Sequence, residues 1–190
     1  MIYITSDQHW CHNNIIKYTG RVKFMNEHEL KEYVECKGDE DKIRKMKISN
    51  SSTDKMDVTM RQNWNCTVKT GDTVLHLGDF ALTDRHELKE LRRMLIGTII
   101  LIHGSHDRSK KQMAEAGFIT VEGPVLLNNF IFTHEPLSDS SIPKGMINVH
   151  GHIHEKKTFG RRINVCVEHT NYTPICLDDL TGKEYEINSL

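Results

Sequence analysis

Five short apolar runs punctuate the chain, and each ends in a polar cluster. "IYITSDQH" closes on Asp7 and His9, "DTVLHLGD" on Gly78 and Asp79, and "TIILIHGSHD" on Gly104 to Asp107. "NFIFTHEP" closes on His134, and "MINVHGHIH" on His150 to His154. The runs are short, rich in β-branched residues and bounded by Gly or Pro, which predicts buried strands. Between them the period changes. "DRHELKELRRMLIG" spaces Leu88, Leu91 and Leu95 by three and four, which predicts a helix stopped by Gly97. Residues 53–65, "TDKMDVTMRQNWN", place Met56, Met60 and Trp64 on one helical face, with Thr53 or Asp54 as the cap. "SKKQMAEAGF" predicts a third helix, ending at Gly117.

Strands that alternate with helices imply an α/β sheet protein. Ligands in such folds collect beyond the carboxyl ends of the strands, where all five polar clusters fall. Residues 26–50 break the rhythm with dense acidic and basic blocks, and read as a helical excursion or a mobile loop on the surface. No internal repeat and no second domain is visible, so one domain is expected over residues 1–190 with a charged insertion at about 26–50.

Composition narrows the picture modestly. A formal charge of −1 supplies no global field for nucleic acid or an anionic membrane, and local basic patches must carry any such contact. No apolar run approaches the ~20 residues of a membrane span. The opening "MIYITSDQH" lacks a basic start and a long apolar segment, so no leader and a cytoplasmic location are expected. The cysteines (Cys11, Cys36, Cys66, Cys166 and Cys176) are odd in number, widely spaced and without a CxxC pair. That predicts reduced thiols, with neither a disulfide framework nor a thiolate zinc site.

Alternate residues of a strand share a face, so His150, His152 and His154 are expected to line up. Alone, such a row fits a solvated strand as well as a metal site. The other polar ends decide: Asp7, His9, Asp79, His106, Asp107, His134, His152 and His154 form a set of nitrogen and oxygen donors. Those donors suit Mn, Fe, Zn or Ni, and the imidazoles argue against Ca or Mg. They are too many for one tetrahedral ion. They suit two ions sharing a carboxylate, ~3.5–4 Å apart, able to clamp a phosphoryl group. Gly78, Gly104 and Gly151 sit where a side chain would block close backbone approach.

The ordered motifs "DQH" at 7–9, "GD" at 78–79, "GSHD" at 104–107, "TH" at 133–134 and "GHIH" at 151–154 resemble those of the calcineurin-like metallophosphoesterases. Further stretches, "HWCHNNII", "NWNCTVKTGDTVLHLGDF" and "NVCVEHTNYTPICLDDL", are similar to a subgroup of small bacterial and phage proteins. The resemblance covers nearly all of the chain except about 26–50. It implies a β-sandwich of two mixed sheets flanked by helices, with a metal site at the strand carboxyl ends. It implies two divalent transition-metal ions, Mn²⁺ first, with Fe, Zn or Ni as options. Asp7, His9 and His154 resemble ligands of one ion, His134 and His152 ligands of the other, and Asp79 the carboxylate between them. His106 resembles a non-ligand histidine on the scissile phosphate, able to protonate the leaving oxygen. His12 resembles a position at the substrate mouth, and Ser105 and Arg108 are further candidates for substrate contact. His150 is left over as a packed or active-site imidazole. His76 and His103 are expected in the core or behind the ligands, and His28, His86 and His169 in solvent.

One position departs from the family. Ser105 stands where the family has an Asn whose amide ligates the second ion, so that ion is expected to be the weaker one. The implied activity is hydrolysis of a small, cyclic nucleotide-like phosphodiester by a metal-activated hydroxide. "GDFALTD" lacks the early Arg of the protein phosphatases, and Arg85 comes too late to supply it. A nuclease is the nearest alternative, with "DRSKK" and Arg161–Arg162 as phosphate contacts. A scaffold with a degenerate metal site is the other. The oligomeric state is left open, and no membrane partner is expected.

Overall fold

The apolar runs become strands that are buried on both faces, because each face has its own cover. The computed structural model describes residues 1–181; the last nine residues of the domain expected over 1–190 lie outside the described residues. Its strands are β1 (Ile2–Thr5), β2 (Thr73–His76), β3 (Thr98–Ile102), β4 (Ile119–Val121), β5 (Val125–Leu127), β6 (Phe130–Thr133), β7 (Ile147–His150), β8 (Arg162–Asn164) and β9 (Ile175–Cys176). The helices are α1 (Ile15–Tyr18), α2 (Glu27–Glu35), α3 (Glu40–Lys45), α4 (Asn50–Thr67), α5 (Arg85–Arg93), α6 (Lys110–Ala116) and α7 (Leu177–Thr181). One sheet has the order β4-β3-β2-β1-β9 and the other β5-β6-β7-β8. Each is mixed: β9 runs antiparallel to β1, and β5 antiparallel to β6, while the remaining pairs are parallel.

Alternation along each strand sorts the side chains into two cores. Ile4, Leu75, Phe130, Phe132 and Val149 pack between the sheets. Tyr3, Val74, Ile99 and Leu101 face the other way, against Met56, Met60 and Trp64 of α4 and Leu88 and Leu91 of α5. The result is an α/β fold of two mixed sheets flanked by helices. No helix among the described residues is long and apolar enough to cross a membrane.

The helix ends show what periodicity leaves open. α4 begins earlier than expected: Ser49, not Thr53 or Asp54, is its cap, and the Ser49 hydroxyl accepts from the Ser52 amide. Thr53 lies inside the helix, where its hydroxyl donates to the Ser49 carbonyl at 3.3 Å. α6 ends as expected, on Gly117 in the left-handed conformation (φ 102°) that its carbonyls need for capping. Residues 26–50 take the helical form. Asn26 and Glu29 make a reciprocal capping box at the start of α2. Glu29 is buried and also accepts from the Ser49 amide at 2.6 Å, which ties α2 to the start of α4. Lys17 donates to the carbonyls of Arg44 and Met46, which anchors the end of α3.

Candidate metal centre

The loops after β1 and β2 lie side by side, zipped by main-chain hydrogen bonds. Asp7 N–H donates to Gly78 O, His9 N–H to Asp79 O (both 3.1 Å) and Trp10 N–H to Phe80 O (3.0 Å). Asp7, His9 and Asp79 all take left-handed backbone, with φ of 61°, 51° and 55°. The same holds for His152 (71°) and His154 (50°) beyond β7. Non-glycine residues pay roughly 1–2 kcal/mol each for this conformation. Five of the candidate ligands carry it, so their aim comes from tight turns and not from a shared strand face. That corrects the expectation that the alternating histidines line up on a strand: β7 stops at His150, as β1 stops at Thr5 before Asp7 and His9. Of the three alternating histidines, His150 stays in the strand, fully buried, with Nδ1 against the Gly151 carbonyl.

Three glycines let the loops close: a Cβ on Gly78 would lie 2.7 Å from the Gly104 Cα and from His134 Nδ1. A Cβ on Gly104 would lie 2.4 Å from the Asp79 amide and from Asp79 Oδ1, and one on Gly151 would lie 2.1 Å from Asp7 Oδ2. The bulk they exclude would strike the candidate ligands themselves. Asp107 shapes the same turn: its carboxylate accepts from the amides of Gly104 (2.8 Å), Asp79 (3.0 Å) and Phe80 (2.8 Å).

Among the described residues, three groups of side chains bring possible ligand atoms within 4.8 Å of one another: Asp7–His9–Asp79, Asp79–His134–His152 and Asp7–His154–Cys166. Each could bind a metal ion. Asp79 belongs to two of them. Its Oδ2 lies 3.5 Å from His9 Nε2 and 3.5 Å from His134 Nε2. His134 is fixed by Nδ1 on the Leu77 carbonyl (2.9 Å), which leaves Nε2 for the centre. Across the gap His152 Nδ1 is 3.2 Å from His134 Nε2, and the His152 amide donates to Asp7 Oδ2 at 2.9 Å.

The donor set fits divalent ions on a second ground. Asp7 Oδ1 and His9 Nε2 are buried without hydrogen-bond partners, 4.0 Å apart. An unsatisfied buried polar atom costs about 1–3 kcal/mol, so two that converge mark a place for a cation. Protonation agrees. Burial pushes His9 down to about 3 against the pull of Asp79. Burial, with His106 nearby, brings His12 to about 4. Both are neutral, with lone pairs free. Burial opposes charge on His134 too, but Asp79 and Asp7 outweigh it and raise it to about 9. Asp79 in turn is held below the usual carboxylate range by His134, the His106 amide and His9, despite burial.

The remaining candidates lie around this centre. The His106 ring is exposed, 5.4 Å from the His9 ring, and falls in none of the three groups; its amide donates to Asp79 Oδ1 at 2.7 Å. The His12 ring also sits beside His9, 5.8 Å away. Ser105 is exposed, with its hydroxyl 3.4 Å from Asp79 Oδ2. Arg108 Nε donates to the Thr83 carbonyl at 2.7 Å, a loop-bracing contact. Arg161 and Arg162 donate to main-chain carbonyls between Leu137 and Phe159 and to Asp139, so these expected phosphate contacts hold a loop together. His76 is buried beside Gln8, and His103 contacts the Arg108 carbonyl. His28 and His86 are in solvent; His169 is exposed but Nε2 touches the His154 carbonyl at 2.9 Å.

Three residues that the sequence did not single out complete the site. Arg21, buried, donates to the carbonyls of Asp7 (2.7 Å) and Gln8 (2.8 Å) and to Glu168 Oε1 (2.8 Å). Glu168 meets His154 Nδ1 at 3.1 Å. Although buried, Glu168 is pulled down to about 2 by His154 and Arg21. Cys166 Sγ lies 3.3 Å from Asp7 Oδ2, so the donor set is not confined to nitrogen and oxygen. Nothing in local spacing links Arg21 or Cys166 to the five motifs. A separate cavity of about 810 Å³ lies between α4 and α5, lined by Trp10, Cys11, Asp57, Glu87, Glu90 and Met94 among others. No candidate ligand lines it, and the chemistry is placed by the donor groups.

No family model matches this chain. In overall shape it is similar to a protein of unknown function, AQ665, from Aquifex aeolicus, with a TM-score of 0.61 at 22% identity over 95% of this chain and 97% of that one. A partial likeness joins it to the Pseudomonas putida nuclease MPE, at 26% identity over 43% of this chain and 44% of that one, with a TM-score of 0.33. In sequence it is 30% identical to the uncharacterized protein MJ1445 of Methanocaldococcus jannaschii over 187 residues, 93% of this chain and 87% of that protein. The chain belongs to the family of MJ1445.

Proposed function

We propose that this protein is a dinuclear, metal-dependent phosphoesterase of the calcineurin-like type that hydrolyses a small, cyclic nucleotide-like phosphodiester. The observation that carries this proposal is the single carboxylate of Asp79 standing in two donor groups at once. Asp7, His9 and His154 would hold one ion, His134 and His152 the other, with Asp79 between them. When bound, such a pair supplies Lewis acidity that activates water and polarises a phosphoryl group.

The chain's own residues do the rest. Asp79 sets the spacing and is kept ionised by its neighbours. His9 offers a neutral ring from a buried position, so no proton has to leave it before it binds. His106, exposed beside the centre with its amide on Asp79, would give a proton to the leaving oxygen. His12, on the same side as His9 and near His106, would contact the substrate. A small diester is favoured because Arg161 and Arg162, two of the basic residues that would track a nucleic-acid backbone, are engaged by main-chain carbonyls. Purified protein with Mn²⁺ should hydrolyse bis(p-nitrophenyl) phosphate faster than p-nitrophenyl phosphate, and a cyclic mononucleotide faster than single-stranded DNA or RNA. Metal-loaded protein that cleaves none of these esters contradicts the proposal; preference for the nucleic acid turns it into a nuclease.

A further inference from the structure

We propose that Cys166 is itself a metal donor, so that Asp7, His154 and Cys166 form a thiolate-bearing site for a borderline-soft divalent ion such as Zn²⁺. The inference rests on the proposed function only in taking Asp7 and His154 to face an ion. It changes what that ion is.

The fold places the thiol deliberately. Cys166 follows β8 and bridges to Ser6, the residue before Asp7. Its amide donates to Asn164 Oδ1 at 2.9 Å, which fixes the turn. Its side chain is fully buried and ends 3.3 Å from Asp7 Oδ2, within 4.8 Å of a His154 nitrogen. Two neighbouring donors on one zinc, with bonds of about 2.3 Å to sulfur and about 2.0–2.2 Å to oxygen, lie roughly 3.5 Å apart. The observed spacing is close to that. The blander account is a packed thiol that donates a weak hydrogen bond to the carboxylate.

Two observations favour the donor role. Asp7 is fully buried, and its other oxygen has no hydrogen-bond partner. A carboxylate so enclosed, with a lone pair unused, calls for a cation. His154, the third member, is held at Nδ1 by Glu168, and Glu168 by Arg21. A carboxylate behind an imidazole is the usual means of orienting a ligand histidine. As the sulfur–metal bond forms, the thiol proton passes to water. A thiolate shifts preference toward Zn²⁺, Fe²⁺ and Co²⁺ and away from Mn²⁺.

Cobalt is the direct probe. The full chain, freed of metal and titrated with Co²⁺, should develop sulfur-to-cobalt charge-transfer absorption in the near ultraviolet, together with the visible bands of bound Co²⁺. The charge-transfer band should survive serine replacement of Cys11, Cys36, Cys66 and Cys176 together and vanish in Cys166→Ser. Cys166→Ser should also weaken Zn²⁺ binding by at least the roughly 10–100-fold that loss of an outer partner already causes. Mn²⁺ binding should change less. Bound Co²⁺ with visible bands and no charge-transfer band in the unsubstituted protein overturns the thiolate while leaving the proposed function intact. A band lost on replacing the other four cysteines, with Cys166 present, overturns it as well. Failure to bind any Co²⁺ overturns both.

Discussion

On the Asp7 side of the centre, nearly everything that touches a candidate ligand is buried and tied down; on the far side of Asp79 the support ends in solvent. Asp7 receives the His152 amide and lies against Cys166, and its loop is clamped by Arg21 through two carbonyls. Glu168 braces His154 from behind. Beyond His134 and His152, by contrast, Asp79 is braced at its amide by the half-buried Asp107, but its carboxylate meets the exposed Ser105 and His106, and the Ser105 hydroxyl reaches it only at 3.4 Å. A ligand set held in place before the ion arrives loses little freedom on binding it. An open set must complete its shell with water or substrate oxygens. The comparison teaches that one carboxylate joins an inflexible half to an adaptable one, with substrate expected at the adaptable half.

The severest way to break this picture is at the shared residue. Asp79→Asn should remove most of the metal and nearly all activity, because both halves lose their common donor; elemental analysis showing two ions per chain in that variant contradicts the assignment. Next in size is His106→Ala. It should lower turnover by about 10²–10⁴-fold, the range for a lost general acid, with metal content retained. A nitrophenolate needs no proton to depart, so the loss should be smaller for that leaving group than for a sugar hydroxyl. Metal that leaves with the imidazole would make His106 a ligand.

Much of this arrangement could be read along the chain, and the part that could not is instructive. Short, β-branched apolar runs through Ile4, Leu75 and Val149 announced buried strands, and the spacing of Leu88 and Leu91 announced a helix, since burial on one helical face leaves a period. The strand-end clusters pointed to the centre itself. The aim of the ligands was not legible, because Asp7, His9, His152 and His154 lie on left-handed turns that a period of two cannot encode. Arg21 and Glu168 lie 147 residues apart, and Cys166 lies 159 residues from Asp7, so only the closed fold makes them neighbours. The cap of α4 was misplaced because several hydroxyl residues precede Met56, and which one caps depends on where Glu29 docks.

The bracing of the enclosed half gives a third test, of intermediate size. Glu168→Gln keeps the volume but removes the charge that orients His154. It should weaken metal binding on that half by roughly 10–100-fold. A calorimetric titration resolving two binding phases should move one of them and not the other. Equal weakening of both would mean that the halves are not independent. The smallest effect is expected at the open half. Ser105→Asn supplies a carboxamide where a hydroxyl falls short, and should raise activity at limiting Mn²⁺ by up to about tenfold. The gain should vanish at saturating metal, where mass action fills the site. Superimposable Mn²⁺ titrations of the two forms would show that water bridges Ser105 to the ion at no cost.

The central claim, that Asp79 joins two ions, is tested most directly by electron paramagnetic resonance of the protein loaded with Mn²⁺ to saturation. Two ions sharing a carboxylate should be exchange-coupled and give a multiline signal of a Mn²⁺ pair at two ions per chain. Two ions per chain giving only the six-line spectrum of isolated Mn²⁺ would contradict it.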